Sequence, residues 1–535
     1  MEVTSPPLSP PTSKIKFQNH FPSTRESPPL SPTPHSTFPS SSSPSILSMA
    51  AGSHISRLPL FLFVLSFISF FLLYNNFHPP PLTSPLRHSS DTSRDLSTFS
   101  TSSSLLLPSS PSLSVRHVLF GIASSSRSII HRIPLISLWW DPSVRLFVFV
   151  DSPPRTRSKR RIEENRFPFP VLVSANASHF PYTFKRGLRS GIRVARIVKE
   201  LIERTDISKK EVRWIVLGDD DTVFIPTNLL ETLDKYDWRQ WHYIGSRSEM
   251  WSQNNDHGFD MAYGGGGIAI SLPLAKVLAR NIDTCIKRYH YLFGSDGRIS
   301  ACLAELGVQL THEPGFHQID MHGDISGLLS SHPLNPLVSL HHFDQVDPIF
   351  PFLNRSASVA HLMSSVMRDP RRALQKMVCY DRPRNRTVSI AWGYSISVFE
   401  GNKLLLDLLA VDKTFWPWVR GSNGEEIYMF NTRGSRRRDK CKDPAVFYLK
   451  NIVSSGSGDK TRIESTYSRY MPGWCLWTAS VKNLRLISVR SQRLERFKDK
   501  PLRRHCCDVL PSSTEYKMKV DIRECKEGEL VAMYT

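Results

Sequence analysis

The hydrophobic rhythm of the chain changes along its length. Residues 1–48 hold almost no apolar run; Ser, Pro and Thr dominate, as in SPPLSPPTS and HSTFPSSSSPS. Such a stretch cannot bury enough apolar surface to offset its chain entropy, so it is expected to be disordered. Residues 58–74, LPLFLFVLSFISFFLLY, are uncharged and almost uniformly apolar. At ~1.5 Å per residue this run crosses most of a ~30 Å hydrocarbon core, and the lack of a polar face argues against a buried core helix. A cleaved signal peptide is the rival reading, but NNFHPPP follows rather than a small-x-small site. Lys14, Lys16, Arg25 and Arg57 precede the run. The positive-inside rule therefore predicts a cytosolic tail over 1–57, a single-pass type II anchor over 58–74 and a lumenal remainder. Residues 75–112 return to Pro, Ser and Thr and read as a stem. Met49 opens a shorter reading, MAAGSHISRLPLF, and both starts stay open.

Over 113–353 the pattern becomes that of a folded domain. VRHVLFGIASS is an apolar run entering a loop, a strand. SIIHRIPLISLWW has helical spacing interrupted at Pro134. VRLFVFVD is a second strand, ended by Asp151 and the loop SPPRTRSKRR, and FPVLVSA is a third. LRSGIRVARIVKELIERT places Ile192, Ala195, Ile197, Val198, Leu201 and Ile202 largely on one helical face. VRWIVLGDDD is a fourth strand; further helices are predicted over 274–282 and at ISACLAELGV. Strands alternating with helices predict an α/β fold with a mostly parallel sheet, whose ligands lie at the carboxyl ends of the strands. After 353 the alternation stops. RTVSIAWGYSISVFEG reads as a strand pair, LLLDLLAVDKTFWPWVRG is aromatic-rich, and NTRGSRRRDKCKDP is a basic loop. Residues 354–535 are expected to form a β-rich, disulfide-braced appendage.

Composition narrows the class. Of 535 residues, 40% are hydrophobic and 22% charged, which excludes a wholly disordered or fibrous chain. Lys+Arg 68 against Asp+Glu 48 leaves +20, a charge that suits nucleic acid, anionic membrane or phosphate-bearing ligands. The basic residues are scattered without a nucleic-acid-reading motif, which argues against the first. All eight Cys lie between Cys285 and Cys525, and the sequons at Asn176, Asn354 and Asn385 also follow the apolar run. Glycosylation acceptors and bridged Cys on that side fit a secretory-pathway lumen. Cys379, Cys441, Cys475, Cys506, Cys507 and Cys525 admit too many pairings to assign, and they lack zinc-site spacing. Trp392, Trp416, Trp418 and Trp474 could stack on sugars, with burial in the core as the default.

The chemistry gathers at a few places. The fourth strand ends in Asp219, Asp220 and Asp221, between the apolar runs WIVL and TVFI. An acidic triplet held there without a cation is costly, and oxygen ligands suit Mn²⁺ or Mg²⁺, which can bridge to a diphosphate. A solvated acidic turn is the plainer alternative. MAYGGGGIAIS carries four Gly, among them Gly265 and Gly266, which permit close backbone approach to a ligand or simply a flexible turn. In GSDGR, Asp296 is either a helix N-cap or a carboxylate offered to a substrate. SLHHFD sets His341 beside His342; on an extended segment the two point to opposite faces, so one at most should serve a given metal. Neither GxGxxG nor GxxxxGK[ST] occurs, which removes the dinucleotide and P-loop readings.

The order WIVLGDDDTVF, AYGGGGIAIS, GSDGRISACLAELGV and SLHHFD resembles the Fringe-like members of glycosyltransferase family thirty-one, and more closely a plant family of Fringe-related proteins. The resemblance covers about residues 115–351. It implies a GT-A fold, a type II Golgi membrane protein, and a β-1,3-type hexosyltransferase that inverts configuration. The implied substrates are a UDP-sugar donor, carrying a hexose or N-acetylhexosamine, and a hydroxyl of a glycan or glycoprotein acceptor. Asp219 and Asp221 then belong to a DxD-type metal motif with Asp221 the direct Mn²⁺ ligand. His341 is the metal-binding His, with His342 the alternative, and Asp296 is the catalytic carboxylate. Arg127, Asp151 and Asp220, with Gly265 and Gly266, fall in the donor-binding regions. Family members often carry a second acid just before the catalytic Asp, where this chain has Ser295. A catalytically inactive carbohydrate-binding protein that keeps the GT-A fold is the alternative reading.

Overall fold

The apolar runs that open the folded region become the strands of one sheet in the computed structural model, which describes residues 113–154, 167–185, 187–205, 211–418, 427–434, 444–456, 461–471, 481, 483–494 and 502–534. The expected tail, anchor and stem over 1–112, with Cys441, Cys475 and Trp474, lie outside the described residues. Among the described residues no helix is long and apolar enough to cross a membrane.

Strands β1 (Val118–Ala123), β2 (Arg145–Val150), β3 (Val171–Val173) and β4 (Trp214–Asp219) run parallel. After a short β5 (Val223–Phe224), the strands β6 (Tyr243–Gly245), β7 (Ile268–Ser271) and β8 (Leu310–His312) complete the sheet in the order β3-β2-β1-β4-β7-β6-β8. Only β7 runs against the rest. β1 and β4 are buried along nearly their whole length, as a sheet covered on both faces requires. One face is covered by the helices Ile197–Arg204 and Leu272–Arg288, through Val198, Leu201, Leu278 and Ile282. That packing is close: a Cβ on Gly121 would fall 2.6 Å from Leu201 Cδ1.

Two helical expectations are corrected. The helix Ile129–Ile136 runs through Pro134 and stops two residues later, so the proline marks its last turn rather than a break in it. The single helix expected around 188–205 is two, Ser190–Ala195 and Ile197–Arg204. The break falls at Arg196, which bonds Asp283 at 2.7 Å.

Strands β9 (Phe316–His317), β10 (Met321–Gly323) and β11 (Ser339–Leu340) follow. β11 lies between β5 and β9 and so carries residues 339–342 alongside the Asp triplet. The rest of the chain is β-rich. It contains β12 (Lys376–Asp381), β13 (Arg386–Ala391), β14 (Ser395–Glu400), β15 (Val411–Lys413), β16 (Phe415–Pro417), β17 (Thr432–Gly434), β18 (Ala445–Ser455), β19 (Arg462–Arg469), β20 (Leu486–Gln492), β21 (Cys506–Leu510) and β22 (Lys517–Arg523). Eight of these form one sheet, β12-β13-β14-β18-β19-β20-β22-β21. It curls until its two edge strands meet, where Cys379 of β12 is bonded to Cys507 of β21 with Cα atoms 5.3 Å apart. Cys506–Cys525 ties β21 to the C-terminal tail, and Cys285–Cys302 joins the helix Leu272–Arg288 to the helix Ser295–Glu305.

This region is β-rich and disulfide-braced, and its core is continuous with that of the first sheet. One apolar cluster holds Val118 and Phe120 of the first sheet together with Trp392, Phe447 and Ile487 of the second. The Asn228 side-chain amide donates to Leu337 O and Pro370 O, each at 2.8 Å, across the expected boundary at 353/354. β16 also leaves the C-terminal region to pair with β10. Trp392 is buried in this core.

Candidate active site

The carboxyl ends of parallel strands leave backbone N–H groups and loops facing one rim, and there the candidate residues meet. β4 ends at Asp219, in register with Ala123 of β1. The chain turns at once, and Thr222 locks the turn: its Oγ1 accepts from Asp219 N at 3.0 Å and donates to Gly265 O at 2.7 Å. The triplet thereby splits by function. Asp219 and Asp221 face His341, whose Nε2 lies 2.9 Å from Asp221 Oδ1 and 3.8 Å from Asp219 Oδ2. Asp220 is turned to the β1 loop instead. Its Oδ2 accepts from Ser124 Oγ at 2.7 Å and Ser128 Oγ at 2.6 Å, and Arg132 Nε stands 3.2 Å from Oδ1. Asp220 thus ties the end of β4 to the loop after β1.

One ligand atom each from Asp219, Asp221 and His341 lies within 4.8 Å of the other two, close enough to share one ion. The donor set of two carboxylates and one imidazole fits Mn²⁺, and Mg²⁺ less well because of the imidazole. Burial and mutual charge act on each member of the triad. Burial works against the charge on Asp221, yet His341 and Arg132 hold its carboxyl well below the usual carboxylate range. Burial also opposes the His341 charge, but Asp221, Asp219 and Asp320 raise its imidazole to about 9. Asp219 keeps 41% of its side chain open to the cleft. Desolvation at the cleft floor, with the like charges of Asp221, Asp296 and Asp220, nevertheless raises its carboxyl above the usual range.

The four-glycine run is not a flexible turn: protein packs closely against Gly265 and Gly266. A Cβ on Gly265 would lie 2.1 to 2.5 Å from three atoms of the His341 ring, so glycine is what admits the imidazole. Gly266 N donates to Gln318 Oε1 at 2.7 Å, and Ser339 Oγ donates to Gly266 O. Only Gly267 uses a left-handed backbone, φ 103. Gly264 faces the cleft, and there its N–H donates to Asp296 Oδ2 at 3.1 Å.

Asp296 is the second residue of the helix Ser295–Glu305, whose N-cap is Gly294, so the capping role is corrected. A Cβ on Gly294 would fall 2.4 Å from Asp296 Oδ1; glycine there lets the carboxylate fold back toward the glycine run. The loop is fixed from beneath by Arg298, which is fully buried. Its guanidinium donates to the carbonyls of Gly294 at 2.6 Å, Leu292 at 2.7 Å, Phe293 at 3.2 Å and His290 at 3.4 Å.

The histidine pair departs from expectation. β11 ends at Leu340, and His342 takes φ 58, so the two rings do not diverge; their centroids are 3.7 Å apart. Only His341 reaches the triad. His342 is instead stacked on Trp418 at 4.4 Å, and the other face of Trp418 stacks on His322 at 4.6 Å. Burial, then His341, push the His342 imidazole down to about 3.

Toward β2, Asp151 accepts from Ser126 N at 2.7 Å, and Arg127 lies exposed in the same loop. The sequons are exposed at all three positions; Asn354 caps the helix Arg355–Val366 through Ala357 N at 2.9 Å, and Asn385 sits at φ 48. Sequence reasoning missed Arg132, Thr222, Arg298 and Gln318 as site-building residues. Thr222 alone had a signal, its place directly after the triplet.

Residues 253–507 match a family model described as a protein of unknown function, DUF604. The beta-1,3-glucosyltransferase of Mus musculus is 29% identical over 111 residues, 21% of this chain and 22% of that protein. The Homo sapiens beta-1,3-glucosyltransferase is 25% identical over 189 residues, 35% of this chain and 32% of that protein. The chain thus matches about a fifth to a third of the length of these curated relatives. Among solved structures, an active-site mutant of LgtC aligns at 11% identity, covering 39% of this chain and 76% of that one with a TM-score of 0.26. The galactosyltransferase LgtC with donor and acceptor sugar analogs aligns at 10% identity, covering 41% and 80%, also with a TM-score of 0.26.

Proposed function

We propose that this chain is a metal-dependent, inverting glycosyltransferase of the β-1,3 type. It moves a hexose or N-acetylhexosamine from a UDP-sugar to a hydroxyl of a glycan or glycoprotein. The observation that carries the reading is the meeting of Asp219, Asp221 and His341 with Asp296 across the glycine run, at the carboxyl rim of an α/β sheet. The segment likeness to two beta-1,3-glucosyltransferases supports it. In the seat of Asp219, Asp221 and His341, Mn²⁺ would supply charge neutralisation for a diphosphate leaving group.

The chain's own residues do the rest. Thr222 and Gly265 set the Asp219 turn, and Arg132 links Asp221 to Asp344 at 2.9 Å, fixing the carboxylate side of the seat. Arg127 and Asp151, on the β1 and β2 loops, border the donor side. The acceptor oxygen bonds to the anomeric carbon while the bond from that carbon to UDP breaks, its electron pair leaving with the diphosphate. The hydroxyl proton passes to the Asp296 carboxylate, which must stand on the face away from UDP. Gly264 N and Gly297 N, at 3.1 and 3.3 Å, aim that carboxylate.

The test is UDP-sugar turnover by the purified chain across a panel of donors, with and without chelator. Mn²⁺-dependent UDP release from one donor is expected; turnover indifferent to chelator removes the metal assignment. The proposed setting is the Golgi membrane, type II, anchored by residues 58–74, on the strength of that apolar run and the basic residues before it. In intact microsomes a C-terminal tag should resist protease; its digestion would overturn the topology.

A further inference from the structure

We propose that Trp416 is the stacking platform for a sugar ring of the acceptor. The inference rests on the glycosyltransferase reading and assigns it a subsite. Trp416 is the middle residue of β16, between buried Phe415 and Pro417, yet it keeps 63% of its surface exposed. An indole left in water forfeits burial that its neighbours achieve. It is nevertheless held in place. β16 pairs with β10 in the register His322 to Trp416 and Gly323 to Phe415. The five-membered ring of Trp416 rests on Gly323, where a Cβ would fall 2.6 Å from Cδ1 and 3.0 Å from Nε1. Gly323 has φ 78, so glycine is required there twice, for the backbone and for the seat. A seated indole with open surface presents a rigid apolar platform at little entropic cost, the form in which aromatic side chains bind best.

Its position selects the ligand. Trp418, two residues further along the chain, lies in the ring stack that ends at His342 and His341, which connects this stretch of chain to the metal seat. Trp418 is stacked on His322 and His342, and Trp416 is the most exposed of the described tryptophans, at 63% against 46% for Trp241 and 39% for Trp251. The loops expected to hold the nucleotide follow β1 and β2, on one side of β4. The segment leading into β10 lies on the other side, tied to the residues after β6 by Ser248 Oγ to Asp320 Oδ2 at 2.6 Å and His317 Nδ1 to Glu249 Oε1 at 3.0 Å. An uncharged platform on the side away from the nucleotide suits the apolar C–H face of a pyranose belonging to the acceptor.

The experiment compares the full chain with Trp416→Ala and Trp416→Tyr. UDP affinity with Mn²⁺ is measured by calorimetry. Glycan affinity is measured on an array of neutral β-linked oligosaccharides, with UDP and Mn²⁺ present. The expected result is UDP affinity within about twofold in all three proteins, with glycan affinity falling roughly 10-fold or more in Trp416→Ala and partly restored in Trp416→Tyr. Glycan binding unchanged in Trp416→Ala, wild-type protein that binds UDP but no arrayed glycan, or a parallel loss of UDP affinity would each overturn the acceptor platform. Failure of the wild type to bind UDP with Mn²⁺ would instead overturn the glycosyltransferase reading, and the platform with it.

Discussion

The two large sheets of this protein divide its labour. The seven-stranded sheet puts its chemistry on one rim, where Asp219, Asp221 and Asp296 sit on turns held by side-chain-to-backbone bonds from Thr222, Gln318, Ser339 and Arg298. The eight-stranded sheet meets itself edge to edge through Cys379–Cys507 and buries a continuous core. Parallel strands all point their carboxyl ends at one place, which makes a site; a curled, mostly antiparallel sheet covers its own edges, which makes a support. The contrast is not complete, because β16, which lies in sequence between strands of the second sheet, pairs with β10 instead.

The sharpest way to test the division is at the rim. Asp296→Asn is nearly isosteric and leaves Gly294 as the helix cap. Glycosyl transfer should fall by ~100- to 10,000-fold while UDP affinity and melting temperature hold, as measured by initial rates, calorimetry and thermal unfolding. Asp221→Ala should cost at least ~100-fold in UDP-sugar turnover with the fold intact. In the same assay series, His341→Ala should weaken Mn²⁺ binding more than His342→Ala. Gly265→Ala crowds the His341 ring and should lower Mn²⁺ affinity by roughly 10- to 100-fold, as loss of an orienting neighbour does.

On the other sheet the effects should appear in stability. Replacing Cys379 and Cys507 by Ser together should lower the melting temperature, by the equivalent of roughly 2–4 kcal/mol, and spare UDP binding at room temperature. Loss of UDP binding would show that the site depends on the closed sheet. The smallest effect concerns Lys376, a buried ammonium bonded to Leu408 O and Ser331 Oγ. Burial, then Arg433 and Arg504, push it down to about 7 from 10.5. Between those values the unfolded chain binds a proton that the folded chain lacks, so stability attributable to Lys376 rises with pH across the window. The melting-temperature difference between wild type and Lys376→Met should therefore shift toward wild type from about pH 7 to about pH 9.

Much of the first sheet was legible because its signals are local. A buried parallel strand reads as an apolar run, and β1, β2, β3 and β4 fall inside the runs that predict them. The triad was legible in its residues but not in its geometry. His341 and His342 share one side because the strand ends at Leu340 and the backbone then turns left-handed, which periodicity does not encode. The glycine run announced close approach without saying to what. Arg298 and Arg132 gave no signal, since each works through partners defined only by the fold. In the second sheet β12 meets β21 across a sequence separation of 128 at its disulfide, beyond any local pattern. The hairpin of β13 and β14, joined by a short turn, was the part that could be read.

The pairing of β16, from the C-terminal region, with β10 sets an order of events during synthesis. A chain emerging from the ribosome presents every motif of the rim once Asp344 has been made. The wall that stacks on His342 comes only with residues 415–418, and the sheet that flanks β16 in sequence on both sides closes only when Cys507 reaches Cys379. Until then the rim holds its carboxylates and glycine run without their far wall.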